Sequence, residues 1–310
     1  MFLTLMPTQD YLEYVPCNIC GADEYTIVHH SNYSNETAQD LKDKFKSSGD
    51  ETLIDQVVKC KHCGLVYINP RIKADLIIQG YSEGSDEAFV SQAAGRERTF
   101  ERCLDFLEKH TSNRGKILDI GAANGSFLSV AKKRGWQVAG VEPNAWLCQW
   151  AKKHYDVDIK PTTIFEQKYP NNSFDVVTLW DVLEHVPDPT LVLKECNRIL
   201  KKDGILIINY PDIGSWIAKL LQRKWVFLLS VHLYYFTPAT IRNILNKTGF
   251  SVAGQKPHFQ SLELGYLMFR MKAYSKLLHT LGYSTTRVLR LDKFQIPYWL
   301  GQTLVVAKKK

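Results

Sequence analysis

The chain lacks a long uninterrupted apolar run, a cationic leader and a marked excess of one charge. Each absence removes a class of protein. Residues 216–236 form the longest apolar stretch, but Lys219, Arg223 and Lys224 interrupt it. It therefore falls short of the roughly 20 apolar residues that a helical membrane span needs. The opening Met1-Phe-Leu-Thr-Leu-Met6 has no cationic lead and no small-residue cleavage site, and Asp10 and Glu13 follow closely. That does not read as a secretory signal, and a cytoplasmic location is expected. Lys+Arg number 39 against 32 Asp+Glu, a net of +7, and Lys308, Lys309 and Lys310 supply three of the positive charges. The excess is too small and too scattered for a nucleic-acid footprint, and no basic stripe with interleaved aromatics occurs, so no nucleic-acid partner is expected. What remains is an ordinary globular composition, 45% hydrophobic and 23% charged over 310 residues. At about 150 residues per domain, that length suits roughly two domains.

The seven cysteines are an odd number. With no leader, they point to reduced thiols rather than a disulfide framework. Four form two matched pairs, Cys17-Asn-Ile-Cys20-Gly21 and Cys60-Lys-His-Cys63-Gly64. A Cys-x-x-Cys turn puts two sulfurs on one side of a tight knuckle. The trailing glycine permits positive φ, so that amide N–H groups can face the sulfur. Two such knuckles supply four thiolates, the closed ligand set of a structural zinc. The repeated glycine favours this over a redox pair, and the mixed-charge segment between the knuckles disfavours a nucleic-acid-binding ribbon. Cys103, Cys148 and Cys196 fall in helical patterns and read as buried small hydrophobes, and His62 as a surface residue.

From Gly115 the texture becomes α/β. Lys116-Ile-Leu-Asp-Ile120 is a short apolar strand, followed by Gly121-Ala-Ala-Asn-Gly125. A helix then begins at Ser126, and Gln137-Val-Ala-Gly-Val141 is a second strand that ends in Glu142-Pro143-Asn144. A glycine turn lets a ligand touch the backbone, and a helix amino terminus offers free N–H groups. A carboxylate at the tip of the second strand, about 20 positions after the turn, can accept both hydroxyls of a ribose. The unit predicts an adenosine-containing cofactor. The spacing Gly121-x-Ala123-x-Gly125, with Phe127 where a third small residue would aid a pyrophosphate, suits a cofactor without one. A nicotinamide-dependent oxidoreductase is the competing reading, and a non-catalytic zinc-containing binding protein a third. Further on, Ser173-Phe-Asp-Val-Val-Thr-Leu-Trp180 is a buried strand. Asp188 is placed to cap a helix with Pro189 at its first position, closed by Asp203-Gly204 before the strand Ile205-Leu-Ile-Ile-Asn209.

These segments resemble class I S-adenosylmethionine-dependent methyltransferases. The match is carried by Leu118-Asp-Ile-Gly-Ala-Ala-Asn-Gly125, Val141-Glu-Pro143, Phe174-Asp-Val-Val and Leu183-Glu-His-Val-Pro-Asp-Pro189. The run Cys60-x-x-Cys-Gly-Leu-Val-Tyr-Ile-Asn-Pro70 resembles the zinc-binding module that precedes some of these domains. Substrates in that subfamily are often sugars or other small metabolites. The resemblance implies an α/β fold with a Rossmann-like seven-stranded methyltransferase sheet. It implies a zinc module over residues 1–75, a helical linker over 76–114 and a methyltransferase domain over 115–310, with a helical insertion at 257–301. It further implies that Gly121, Ala123 and Gly125 line the methionine moiety, Ala123 standing where the family usually has glycine. Asp119 would hold the turn, Glu142 the ribose, Phe165 and Glu166 the adenine, and Trp180 and Asp181 would end their strand under the methyl group.

Residues 231–238, Val231-His232-Leu-Tyr-Tyr-Phe-Thr-Pro238, resemble a segment of sugar C-methyltransferases that carries a Tyr, Glu and His cluster for removing a proton from carbon. Here His232 matches the histidine, while Val231 and Leu229 stand where Glu and Tyr would be. A hydroxyl needs a weaker base than a carbon acid. The expected reaction is therefore O-methylation of a sugar or other small-molecule or lipid-linked acceptor, with C-methylation as the alternative. His232 is the first candidate base and His185 the second. Residues 216–236 read as a loop and helix covering the site, and their alternating basic and aromatic residues also suit peripheral membrane contact.

Overall fold

A computed structural model describes residues 11–32, 53–82, 85, 87–111, 114–270 and 276–310. The amino-terminal part contributes short strands: β1 (Leu12–Glu13), β2 (Tyr25–His29), β3 (Val57–Cys60), β4 (Val66–Ile68) and β5 (Arg71–Ile72). Helices Ala74–Ser82, Glu87–Ser91 and Ala93–Leu107 follow. The central sheet is built from β6 (Lys116–Ile120), β7 (Gln137–Val141), β8 (Ile159–Lys160), β9 (Phe174–Trp180) and β10 (Leu200–Pro211). The strands β11 (Tyr234–Tyr235), β12 (Phe250–Pro257), β13 (Gln260–Glu263), β14 (Gln295–Tyr298) and β15 (Gln302–Lys309) complete the chain.

Seven strands form one mixed sheet in the order β12-β15-β10-β9-β6-β7-β8. β6 to β10 run parallel, and β15 lies antiparallel between β10 and β12. The parallel strands are near-continuous apolar runs because helices cover both faces. The helices begin where the sequence supplies caps. The Asn144 side chain accepts from Leu147 N ahead of Ala145–Tyr155, and Asp188 accepts from Leu191 N ahead of Pro189–Ile199. Thr237 and Thr240 close a reciprocal box at the start of Pro238–Lys247.

Two expectations shift. β10 begins at Leu200, directly after the helix, and the register with β9 jumps between Leu200 and Ile205. Asp203 adopts φ 61° in that bulge, so Asp203-Gly204 interrupts a strand instead of ending a helix. The insertion at 257–301 is not purely helical. Its helices Leu264–Arg270 and Lys276–Val288 are framed by the antiparallel pair β13 and β14, which returns the chain to the sheet edge it left.

Of the amino-terminal strands, β1 and β5 pair with each other as an antiparallel two-stranded sheet, while β2, β3 and β4 share a sheet with a strand from much later in the chain. The four-stranded sheet has the order β11-β4-β3-β2, and its edge strand comes from the methyltransferase half. Tyr234 pairs with Tyr67, Tyr235 with Val66, and Ile68 N donates to Leu233 O at 2.9 Å. One apolar core accordingly runs from Cys17, Val58 and Tyr67 through Leu183 and Leu233 to Leu206 and Val305. Among the described residues, no helix is long and apolar enough to cross a membrane.

Candidate active site and metal-binding cluster

Gly121 sits at φ 68°, and a Cβ there would come within 2.6 Å of Val182 Cγ2, so the turn requires glycine. Its N–H and that of Ala122 both donate to Val141 O, which lashes the turn to the end of β7. Ala123 also lies in the left-handed region, at φ 44°. A side chain there costs about 1–2 kcal/mol, which gives a physical meaning to the glycine that the family prefers. Glu142 is fully buried. Its Oε2 accepts from Ala123 N and its Oε1 from Asn144 N, both at 2.9 Å. Burial pushes its carboxyl up to about 7, against the pull of those two amides. The carboxylate therefore bridges the glycine turn and the turn after β7. Asn144 Nδ2 reaches Tyr81 O on the linker helix above them. Asn124, in the same turn, is buried with its Nδ2 unpartnered.

The other residues expected at the cofactor lie on β6, on the short helix Ile164–Gln167 and at the end of β9. Asp119 is buried in the sheet and accepts from Thr178 Oγ1 at 2.7 Å, so it ties β6 to β9. Burial, and then the neighbouring Glu142, raise it well above the usual carboxylate range. Phe165 is largely exposed on the short helix Ile164–Gln167. The Glu166 carboxylate caps that helix, accepting from Thr163 N and the hydroxyls of Thr162 and Thr163. Trp180 ends β9 inside an aromatic group with Phe100, Phe127 and His258, and its indole N–H is buried without a partner. Asp181 follows at φ 52°. Asn209 holds it at both its amide and its carboxylate, and Gln260 and Gln302 also donate to that carboxylate.

The residues fit S-adenosylmethionine by the chemistry of the donor set. A buried carboxyl group stands at the second strand's tip, and the backbone turn beside it carries an unsatisfied amide. An unsatisfied indole N–H lies at the end of β9.

His185 and His232 meet. Their rings lie 4.6 Å apart, edge to face. His185 Nδ1 bonds Val231 O at 2.9 Å and His232 Nδ1 bonds Phe227 O at 2.8 Å. Burial pushes His185 down to about 4. It pushes His232 well below the usual imidazole range, with the neighbouring His185 adding to the effect. Sequence reasoning missed the third member. Glu184 is 1% exposed, and neither carboxylate oxygen has a hydrogen-bond partner. Its ligating atom and those of the two histidines lie within 4.8 Å of one another. The signal was present: Glu184 and His185 are adjacent just past the end of β9, where parallel sheets carry their chemistry. The carboxylate that Val231 does not provide comes instead from a segment 47 positions earlier in the chain.

The four knuckle cysteines converge as well. Cys17 and Cys63 Sγ lie 3.3 Å apart, and Cys20 and Cys60 Sγ 3.5 Å apart. Zinc–sulfur bonds of about 2.3 Å in a tetrahedron put sulfurs about 3.8 Å apart, so the cluster has the right size. The two knuckles repeat one pattern: Gly21 N bonds Cys17 O and Gly64 N bonds Cys60 O, and both glycines have φ near 77° (77° and 76°). Cys103, Cys148 and Cys196 are buried and unpaired. His62 lies outside the cluster, half-exposed beside Glu24.

The knuckles also grip the loop that carries Glu184 and His185. Asn18, between Cys17 and Cys20, bonds Asp188 and Thr190 at the start of the helix Pro189–Ile199. Arg71 is buried, paired with Glu13 at 2.9 Å, and donates to Pro187 O at 2.7 Å and Tyr234 Oη at 2.9 Å. Nothing in the local sequence marked Arg71, because its partners lie 58, 116 and 163 positions away in the chain.

Residues 92–255, over half of the chain, match the methyltransferase-domain family, and the chain belongs to that family. Its class is that of the S-adenosylmethionine-dependent class I methyltransferases. Among curated relatives, ubiquinone biosynthesis O-methyltransferase of Hahella chejuensis is 36% identical over 138 residues, covering 39% of this chain and 58% of the relative. The protein of the same name from Actinobacillus pleuropneumoniae is 31% identical over 119 residues, or 34% of this chain and 50% of the relative. The chain spans about half the length of the curated relatives it matches. A methyltransferase solved in complex with the Haloferax volcanii Trm112 activator shares the fold. It has a TM-score of 0.50 and 16% identity, with 72% of this chain and 95% of that chain covered.

Proposed function

We propose that this protein transfers the methyl group of S-adenosylmethionine to an oxygen of a small-molecule acceptor. The observation that carries the proposal is the Glu142 carboxylate, fixed between the glycine turn and the turn after β7, where a ribose would meet it. When bound, the cofactor supplies an electrophilic methyl on a sulfonium. The chain contributes alignment and exclusion of water. Glu142 accepts the ribose hydroxyls, and Gly121, Ala123 and Gly125 present backbone to the methionine portion. Asp119 stiffens the first strand behind them. Phe165 forms the adenine wall, and the Glu166 carboxylate holds the start of the short helix that carries it. Trp180 and Asp181 form the floor on the acceptor side. His232 and His185, neutral and with Nε2 unblocked, receive the acceptor hydroxyl and its proton. The names of the curated relatives support oxygen as the methylated atom. A sugar, a phenol or a lipid-linked glycan would fit the same chemistry. We propose zinc for the four-cysteine cluster in a structural role, and a cytoplasmic setting. The exposed Trp216 and Leu220 beside Lys219 suit contact with a membrane face.

Changing Glu142 to Ala is expected to weaken S-adenosylhomocysteine binding by about 10- to 100-fold in calorimetry, the worth of one or two charged hydrogen bonds. Unchanged affinity would remove the assignment. C-methylation is a second reading, favoured by one observation: Glu184 restores a carboxylate beside His232. Mass and NMR analysis of the product separates a methyl ether from a new carbon–carbon bond.

A further inference from the structure

We propose that Glu184, His185 and His232 form a second metal site, which binds a divalent first-row transition ion through one carboxylate and two imidazoles. Three observations meet here. Glu184 is buried with both oxygens unpartnered, and leaving a buried acceptor unsatisfied costs about 1–3 kcal/mol, more for a charged group. Such an orphan in a packed core calls for an ion or a water. Each imidazole is locked at Nδ1 by a backbone carbonyl, Val231 O for His185 and Phe227 O for His232. That bond to a backbone carbonyl fixes the tautomer and leaves the Nε2 lone pair to ligate. The ligating atoms of all three residues lie within 4.8 Å of one another, close enough to contract onto one ion at about 2.0–2.2 Å per bond.

The donor set says which ion. Two nitrogens and a carboxylate suit zinc, iron, cobalt or manganese, and three protein ligands leave coordination positions open. This contrasts with the four-cysteine cluster, which is soft and closed. Two of the three ligands, Glu184 and His185, sit in the loop just after β9, three and four positions beyond Asp181. An acceptor hydroxyl placed at an open position would bind the ion, lose its proton to solvent more readily, and attack the methyl as an alkoxide or phenoxide. The oxygen–carbon bond forms as the carbon–sulfur bond breaks, and its electron pair returns to sulfur. His232 then acts as a ligand, and the ion does the work assigned above to a free base. This use rests on the methyl-transfer reading, but the existence of the site does not.

The test is metal stoichiometry on the full chain. The purified protein is dialysed against zinc, freed of loosely held metal on a chelating resin and analysed by mass spectrometry. The expected result is two equivalents per chain, falling to one in Glu184→Gln and in His232→Asn. S-adenosylhomocysteine affinity should stay at its wild-type value in both. Cobalt loading adds a signature: the variants lose the weak visible bands of the nitrogen–oxygen site and keep the intense sulfur-to-cobalt charge transfer. A single equivalent in the wild type overturns the proposal, whatever the variants do, as does a Glu184→Gln protein that holds as much metal as the wild type. Failure of the methyltransferase reading would show separately, as a wild type that does not bind S-adenosylhomocysteine.

Discussion

The donor side and the acceptor side of this molecule are assembled in opposite ways. The core of the proposed donor side comes from one continuous stretch, β6 through the turn after β7, in which Ala123 of the glycine turn and Glu142 are 19 positions apart and bonded to each other. The acceptor side gathers pieces from the whole chain. Glu184 and His185 follow β9, His232 precedes β11, Gln260 and Gln302 come from the insertion and its return, and the amino-terminal module clamps the loop between them. Local assembly makes the first half tolerant of change elsewhere. Dispersed assembly makes the second half depend on elements that never touch a substrate.

That contrast can be broken most severely at the cysteines. Changing Cys60 to Ser is expected to cost several kcal/mol by removing one of the four thiolates of the proposed zinc site. Because β4 holds β11, turnover should fall far more than S-adenosylhomocysteine affinity. Equal losses would show that the two sides are not separable. A smaller blow falls at Arg71. Replacing it with Met strands Glu13 and frees Pro187 and Tyr234, and breaking a buried pair in this way costs about 3–5 kcal/mol at the upper end. The midpoint of thermal unfolding should drop, and kcat should fall with little change in cofactor affinity.

The donor side answers to pH. Glu142, raised to about 7 when folded against an ordinary 4.5, holds its proton in the native state through that window while the unfolded chain has lost it. Its contribution to stability is therefore fully present below about 4.5 and is lost as the pH rises through about 7. Cofactor affinity should move the other way, because the ionised carboxylate is the better acceptor for ribose hydroxyls. Both trends should vanish in Glu142→Gln. A wild type in which stability and cofactor affinity rise or fall together across that window would place the titrating group elsewhere. The smallest effect is expected at Ala123, where glycine relieves a left-handed alanine and should stabilise the fold by about 1 kcal/mol. A destabilised Ala123→Gly would mean that the methyl group packs usefully.

The same contrast explains what could be read from the residues alone. The glycine turn, Glu142, the capped helices and the paired knuckles are local patterns, and spacing in the chain is enough to find them. The strands β6, β7 and β9 were legible as short apolar runs, while the seven-stranded sheet was expected only through the family resemblance. The partnership of Tyr67 with Tyr234 was not legible, and neither was the place of Arg71, because strand pairing and buried ion pairs over such separations leave no periodic trace. Glu184 was overlooked for a subtler reason. Along the chain no carboxylate stands beside His232, and the fold supplies one across a gap of 48 positions, from Glu184. Asp119 and Glu166 were assigned to the cofactor from position, and the structure shows each already engaged, one with Thr178 and the other with its own helix end.

The edge position of Tyr234 and Tyr235 in the amino-terminal sheet bears on any attempt to recombine this enzyme. A chimera cut between residues 75 and 76, at the apparent module border, would strip a methyltransferase half of the strand that aligns its histidine and leave the donor module with an open ladder. A transplantable unit must include both the knuckles and the tyrosine pair, so swapping acceptor preference between relatives calls for exchanging two distant segments together.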